Sequence, residues 1–157
     1  MGDRRGFSLV ELLMVLLVLA IAAGLAAPSL RGFVRRERVR GALNRVAADL
    51  HYTRMLAVRS GHGAVLRFTP DPRCAARFSG HGWTVAVHGP AGGVVKTVRA
   101  DAADAHPLCL EMNSSDTVAF NSRGLLSPFA NRTLHAVQGE VRDSLTVSVV
   151  GRIYRRF

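Results

Sequence analysis

The chain has 157 residues, which leaves room for one domain and an appendage and excludes a multidomain assembly on a single polypeptide. It is 48% hydrophobic and carries a formal charge of +10, almost all of it from arginine, since Lys96 is the only lysine. Much of the apolar content lies before Pro28, but the charges there cancel (Asp3 and Glu11 against Arg4 and Arg5), so the basic excess belongs to the remainder. A basic balance of this size favours anionic partners: nucleic acid, lipid headgroups or an acidic protein surface.

The chain opens with RRGFSLVELLMVLLVLAIAAGLAAP, from Arg4 to Pro28. Leu12 to Ala27 is an unbroken apolar-or-glycine run, and with Phe7 to Val10 it reaches about 20 residues, the length that spans a bilayer as a helix. Arg4 and Arg5 hold the N-terminus on the cytoplasmic side, so residues beyond the span are exported. Pro28 follows, where a helix kinks or stops. A cleaved secretory signal fits the basic start, the apolar core and the small residues near Ala22 to Ala27. A plain membrane anchor fits the length. Neither needs Glu11, and an acid within a span costs up to about 2.5–3.5 kcal/mol, less near the interface.

The segment RRGFSLVELL resembles the type IV prepilin signal: a short basic leader, glycine, phenylalanine, then glutamate in fifth place after the cut. The resemblance implies that a prepilin peptidase cuts after Gly6 and that Phe7 is methylated on its new amine. The helix is then retained, first as an inner-membrane anchor and later in a filament core. Glu11 would pair there with the terminal amine of a neighbouring pilin or pseudopilin subunit, each charge offsetting the burial cost of the other.

From Ser29 to about Arg59 the pattern stays helical. Val39, Leu43, Val46, Leu50 and Ala57 follow 3- and 4-residue steps along one stripe. Arg31, Arg35, Arg36, Arg38, Arg40 and Arg45 occupy the opposite side, with Glu37 and Asp49 among them. One helix from Phe7 to about Val58 is predicted, ended by Ser60-Gly61-His62-Gly63. Its basic face suits anionic headgroups, acidic filament neighbours or solvent alone.

Strand-like runs follow at 64–69, 82–88, 94–100, 108–112, 117–121, 133–138 and 144–150, with residues 152–157 as a last strand or tail. Gly89 to Gly93 reads as a hairpin turn. The predicted class is therefore α+β: a long N-terminal helix packed on an antiparallel β-sandwich. Its parts would be a leader at 1–6, a membrane helix at 7–28, an amphipathic continuation at 29–60 and a β-rich periplasmic head at 61–157.

The sequence ADLHYTRMLAVRSG (48–61), Gly82-Trp83, the Phe120 to Gly124 spacing and the Val147 to Arg152 ending resemble the GspH/FimT family of pilin-like proteins. That resemblance implies either a minor pseudopilin of type II secretion or a minor pilin that takes up DNA. The DNA-uptake branch usually ends G-R-x-R with a cysteine nearby. Here the ending is GRIYRRF, with tyrosine at the second arginine position and no terminal cysteine, so the structural role stands first.

A DNA site would consist of Arg152, Tyr154, Arg155 and Arg156, combining cations with one stacking ring. In an extended strand Arg152, Tyr154 and Arg156 share a face and Arg155 points away. The alternative is an edge strand guarded by charge. Cys74 and Cys109 form either a disulfide or two separate buried thiols. His81 and His88, with Cys74, match no zinc spacing. Asp71, Asp101, Asp104 and Asp116 sit in turn-like contexts, and Trp83 and Phe120 read as core anchors. No motif of a hydrolase, metalloprotease or phosphate-binding loop occurs, so neither an enzyme nor a cofactor is expected.

Overall fold

A computed structural model describes residues 8–74, 79–90, 92–99 and 107–156; the side chains of residues 25–31, 79, 81, 99 and 156 are outside that description. The chain divides into two compact units, Met1–Arg36 and Glu37–Phe157. Helix α1 spans Leu9–Ser60, and its assignment continues through Pro28 without stopping there.

In the first unit the large apolar side chains from Leu9 to Ile21 are between 49% and 74% exposed, on every side of the helix. A helix that is apolar all round is stable only where lipid or other protein covers it. Among the described residues no helix is long and apolar enough to cross a membrane. The described side chains of the apolar run stop at Gly24, three residues short of the Ala27 at which the run ends in sequence.

In the second unit the predicted stripe is the buried face of α1: Val39, Leu43, Val46, Leu50 and Ala57 are all fully buried. Thr53 fills the step between Leu50 and Ala57, and is tolerated there because its hydroxyl donates to the Asp49 carbonyl at 2.6 Å.

Among the described residues nine strands follow: β1 (Ala64–Pro70), β2 (Ser79–Val87), β3 (Gly93–Arg99), β4 (Cys109–Met112), β5 (Thr117–Phe120), β6 (Leu126–Ser127), β7 (Arg132–Gln138), β8 (Val141–Val147) and β9 (Ile153–Arg156). All pairings are antiparallel, in the order β6-β5-β1-β2-β4-β7-β8-β9, with β3 also on β2. Strand β2 is the branch point. Its Ser79 and Gly80 pair with Glu111 and Leu110 of β4, whereas Gly82 to Val87 pair with β3. The β-rich head thus has two arms that share one strand. Both contribute to a single core with α1: Leu66, Phe68, Trp83, Val85, Val118 and Phe120 from one arm, Leu110, Met112, Leu134, Ala136, Leu145 and Val147 from the other.

Two strands differ from expectation by more than one residue at an end. β2 starts at Ser79 rather than Gly82, because pairing with β4 draws Ser79 and Gly80 into the ladder. β8 runs Val141–Val147 rather than over 144–150. The β-prone Ser148-Val149-Val150 instead forms a turn in which the Gly151 amide donates to the Ser148 carbonyl at 2.8 Å. The two-residue β6 is too short to leave a periodic signal.

Candidate functional site

Of the residues tied to processing, Gly6 and Phe7 lie outside the described residues, as does the Pro28 side chain. Glu11 is exposed in the first turn of α1, among Leu12, Met14 and Val15, which are also exposed. A carboxylate at this end of a helix is favoured by the macrodipole by about 0.3–1 kcal/mol, which does not offset burial in a low-dielectric interior without a cation.

Within the head, the segment 48–61 organises its surroundings. Asp49, expected on the polar side, is only 4% exposed and faces the core. It accepts from Trp83 Nε1 at 2.7 Å and from Lys96 Nζ at 2.5 Å. The signal was present in its position rather than its charge: Asp49 lies three residues after Val46 and four before Thr53, on the buried stripe. A buried carboxylate needs both hydrogen bonds and an opposite charge, and the single lysine of the chain supplies the latter.

Five residues further on, Arg54 Nη1 donates to the Gly151 carbonyl at 3.2 Å. Gly124 and Gly151 both have φ +74°, and both close on this arginine. A Cβ on Gly151 would lie 2.9 Å from Arg54 Nε and 2.9 Å from the Gly124 carbonyl oxygen; one on Gly124 would lie 3.0 Å from a Val58 methyl. The Asp-Leu-x-x-x-Arg spacing and the two later glycines are thus parts of one assembly that fastens both arms to the end of α1.

At the C-terminal edge, Arg152 and Tyr154 are exposed while Arg155 turns inward, as strand alternation predicts. Arg155 donates to Asp143 Oδ2 at 2.6 Å and to Asn44 Oδ1 of α1 at 3.2 Å. It is therefore committed to the fold and withdrawn from any nucleic-acid surface; the Arg156 side chain lies outside the described residues. Burial pushes the Asp143 carboxyl up, but the Arg155 hydrogen bond, the Ser144 amide and the charges of Arg155 and Arg40 outweigh it and hold the group below the usual carboxylate range.

Cys74 and Cys109 are joined as a disulfide, with Cα atoms 5.7 Å apart. The bridge links the loop after β1 to β4, and so one arm to the other. It also removes Cys74 from any metal set; among the described residues no group of three or more His, Cys, Asp or Glu could hold a metal ion.

His135 of β7 lies between Glu111 of β4 and Ser144 of β8. Burial and then the Arg142 charge hold its imidazole below the ordinary range, against the opposing pull of Glu111. A depressed histidine favours the unfolded state once that state binds the extra proton. Stability is thus complete above the ordinary histidine pKa of about 6.5 and declines as pH falls from there toward the folded value. Asp143, also depressed, adds a second loss below the ordinary carboxylate pKa of about 3.9. The expected result is a thermal midpoint that drops between pH 7 and pH 5, with the drop reduced in His135→Gln. An unchanged drop in that variant would remove His135 from the account.

A stem helix whose amphipathic part packs on an antiparallel sheet, led by an exposed apolar segment, is the architecture of pilin-like subunits. The fold is similar to two crystal structures of the type IV minor pilin FimU of Pseudomonas aeruginosa. One has a TM-score of 0.62 at 21% identity, covering 80% of this chain and 92% of that one. The other has a TM-score of 0.58 at 20% identity, covering 75% and 92%. Residues 42–151 match the family model described as type II transport protein GspH, and the chain belongs to that family. Residues 1–27 match the prokaryotic N-terminal methylation motif. The type II secretion system protein H of Xanthomonas campestris pv. campestris is 42% identical over 69 residues, which is 44% of this chain and 40% of that protein's length.

Proposed function

We propose that the chain is a minor pseudopilin of a type II secretion machine, a structural subunit without catalysis of its own. A prepilin peptidase would cut after Gly6 and methylate Phe7. Residues 7–28 would anchor the subunit in the bacterial inner membrane with the head in the periplasm, and assembly with other pseudopilins would draw it into a short filament. The observation that carries this reading is the coincidence of two matches on one chain, the methylation motif at 1–27 and the GspH family at 42–151. The exposed apolar surface from Leu9 to Ile21 supports it, since such a surface requires lipid or neighbouring helices around it. The disulfide agrees with an oxidising compartment.

The role assigned to Glu11 is to meet the amine that cleavage exposes on an adjacent subunit. Glu11→Val is expected to leave membrane insertion intact and to abolish most incorporation into filaments, read by co-purification with sheared pseudopili. Normal incorporation of the variant would remove charge pairing from the mechanism. Processing has its own readout: replacing Gly6 by a bulky residue leaves the leader attached, visible as unshortened mass.

A further inference from the structure

The face of α1 turned away from the core carries an ordered series. Arg38, Arg45 and Arg59 stand at seven-residue positions, the intervening Tyr52 being half-buried against the core, and Gly41, Ala48 and Met55 form a parallel series beside them. Seven residues are nearly two helical turns, so each series runs along the helix as a seam that drifts slowly to one side. From Arg38 to Arg59 the seam is about 30 Å long at 1.5 Å per residue. Arg38, Arg45, Ala48, Arg59 and Met55 are exposed, Met55 by 51%, and neighbouring Val58 by 52%.

Gly41 adds an independent observation. It lies within a helix, lacks a positive φ, and a Cβ built on it meets no atom within 4 Å. Nothing among the described residues of the head requires glycine at a place where it weakens the helix by about 1 kcal/mol relative to alanine. Gly41 and Ala48 keep the seam low, which lets another backbone approach closely.

We propose that this seam docks an α-helix of a different subunit that presents carboxylates two heptads apart to Arg45 and Arg59. This deepens the reading of the chain as an assembling subunit and rests on it. A second copy of the chain does not fit, because it would set arginine against arginine, and the chain carries +10 overall. A flat anionic surface would attract the arginines at any spacing and gives no reason for Gly41. A helix explains both: partners crossing at about 20° stay in contact along a seven-residue seam, and small residues bring the axes together.

The test uses the full chain in non-ionic micelles. Two labelled synthetic helical peptides of one composition are compared, one with glutamate at every seventh position and one with the glutamates distributed around the helix. The in-register peptide is expected to bind roughly tenfold more tightly at low salt, with the difference shrinking as salt rises. Arg45→Glu with Arg59→Glu should abolish that preference and confer binding to a peptide with lysine at the same positions. Gly41→Leu should weaken the glutamate peptide while helix content, read by circular dichroism, is unchanged. Equal binding of the two peptides, or no effect of the double charge reversal, overturns the proposal. So does binding to phosphatidylglycerol vesicles without binding to peptide, which would assign the seam to lipid. None of these outcomes bears on Glu11→Val incorporation, so failure here and failure of the secretion reading are separable.

Discussion

Lys96→Met is expected to destabilise the head by about 2–3 kcal/mol, more than Asp49→Asn, although the aspartate is the buried partner. Removing the lysine leaves a carboxylate that is only 4% exposed, with Trp83 Nε1 still donating to it but no cation beside it. Breaking a fully buried pair costs about 3–5 kcal/mol; the lower figure applies here because Lys96 is 46% exposed and water screens part of the interaction. Asp49→Asn keeps an oxygen for the indole and frees a lysine that water can receive, at about 1 kcal/mol. The double variant should recover most of the Lys96→Met loss, giving a coupling that a mutant cycle measures directly. Trp83 is the only tryptophan, so urea unfolding followed by its fluorescence reports on this site. A larger loss for Asp49→Asn than for Lys96→Met would show that shape rather than charge governs the position.

Replacing Cys74 and Cys109 by serine together is the second large effect. The bridge spans 35 residues of sequence, and closing a loop of that length restricts the unfolded chain by about 4 kcal/mol. For a head of this size the thermal midpoint should fall by about 15 °C. Reduction of the unmodified protein should reproduce the shift, and adding reductant to the serine variant should change nothing further. A shift of only a degree or two would mean that the packed core already holds the two arms together.

Much of this was legible in the sequence, for identifiable reasons. The five stripe residues of α1 were read correctly because burial on a helix follows a 3.6-residue period that needs no knowledge of the partner. Asp49 falls on the stripe although its charge argues for the polar side, because the partners that make its burial tolerable, Trp83 and Lys96, lie 34 and 47 residues away. Arg54 and Gly151, 97 residues apart, could not be joined by local reasoning, although each was visible as part of a motif. Residues 148–150 read as strand by composition and form a turn, because the backbone bond closing at Gly151 overrides a weak β preference. Arg155 was placed correctly on the far side from Tyr154, but its engagement by Asp143 and Asn44 depends on where α1 passes.

The junction at β2 has a consequence for biogenesis. Among the described residues Ser79 and Gly80 carry the ladder from one arm to β4, and the covalent link through Cys74 and Cys109 sits beside that join. Molecules whose thiols are still reduced should therefore open there first, giving an unfolding transition in two steps and a preferred cleavage point for proteases. The supply of oxidant, rather than the rate of synthesis, would then set how many copies survive to be used.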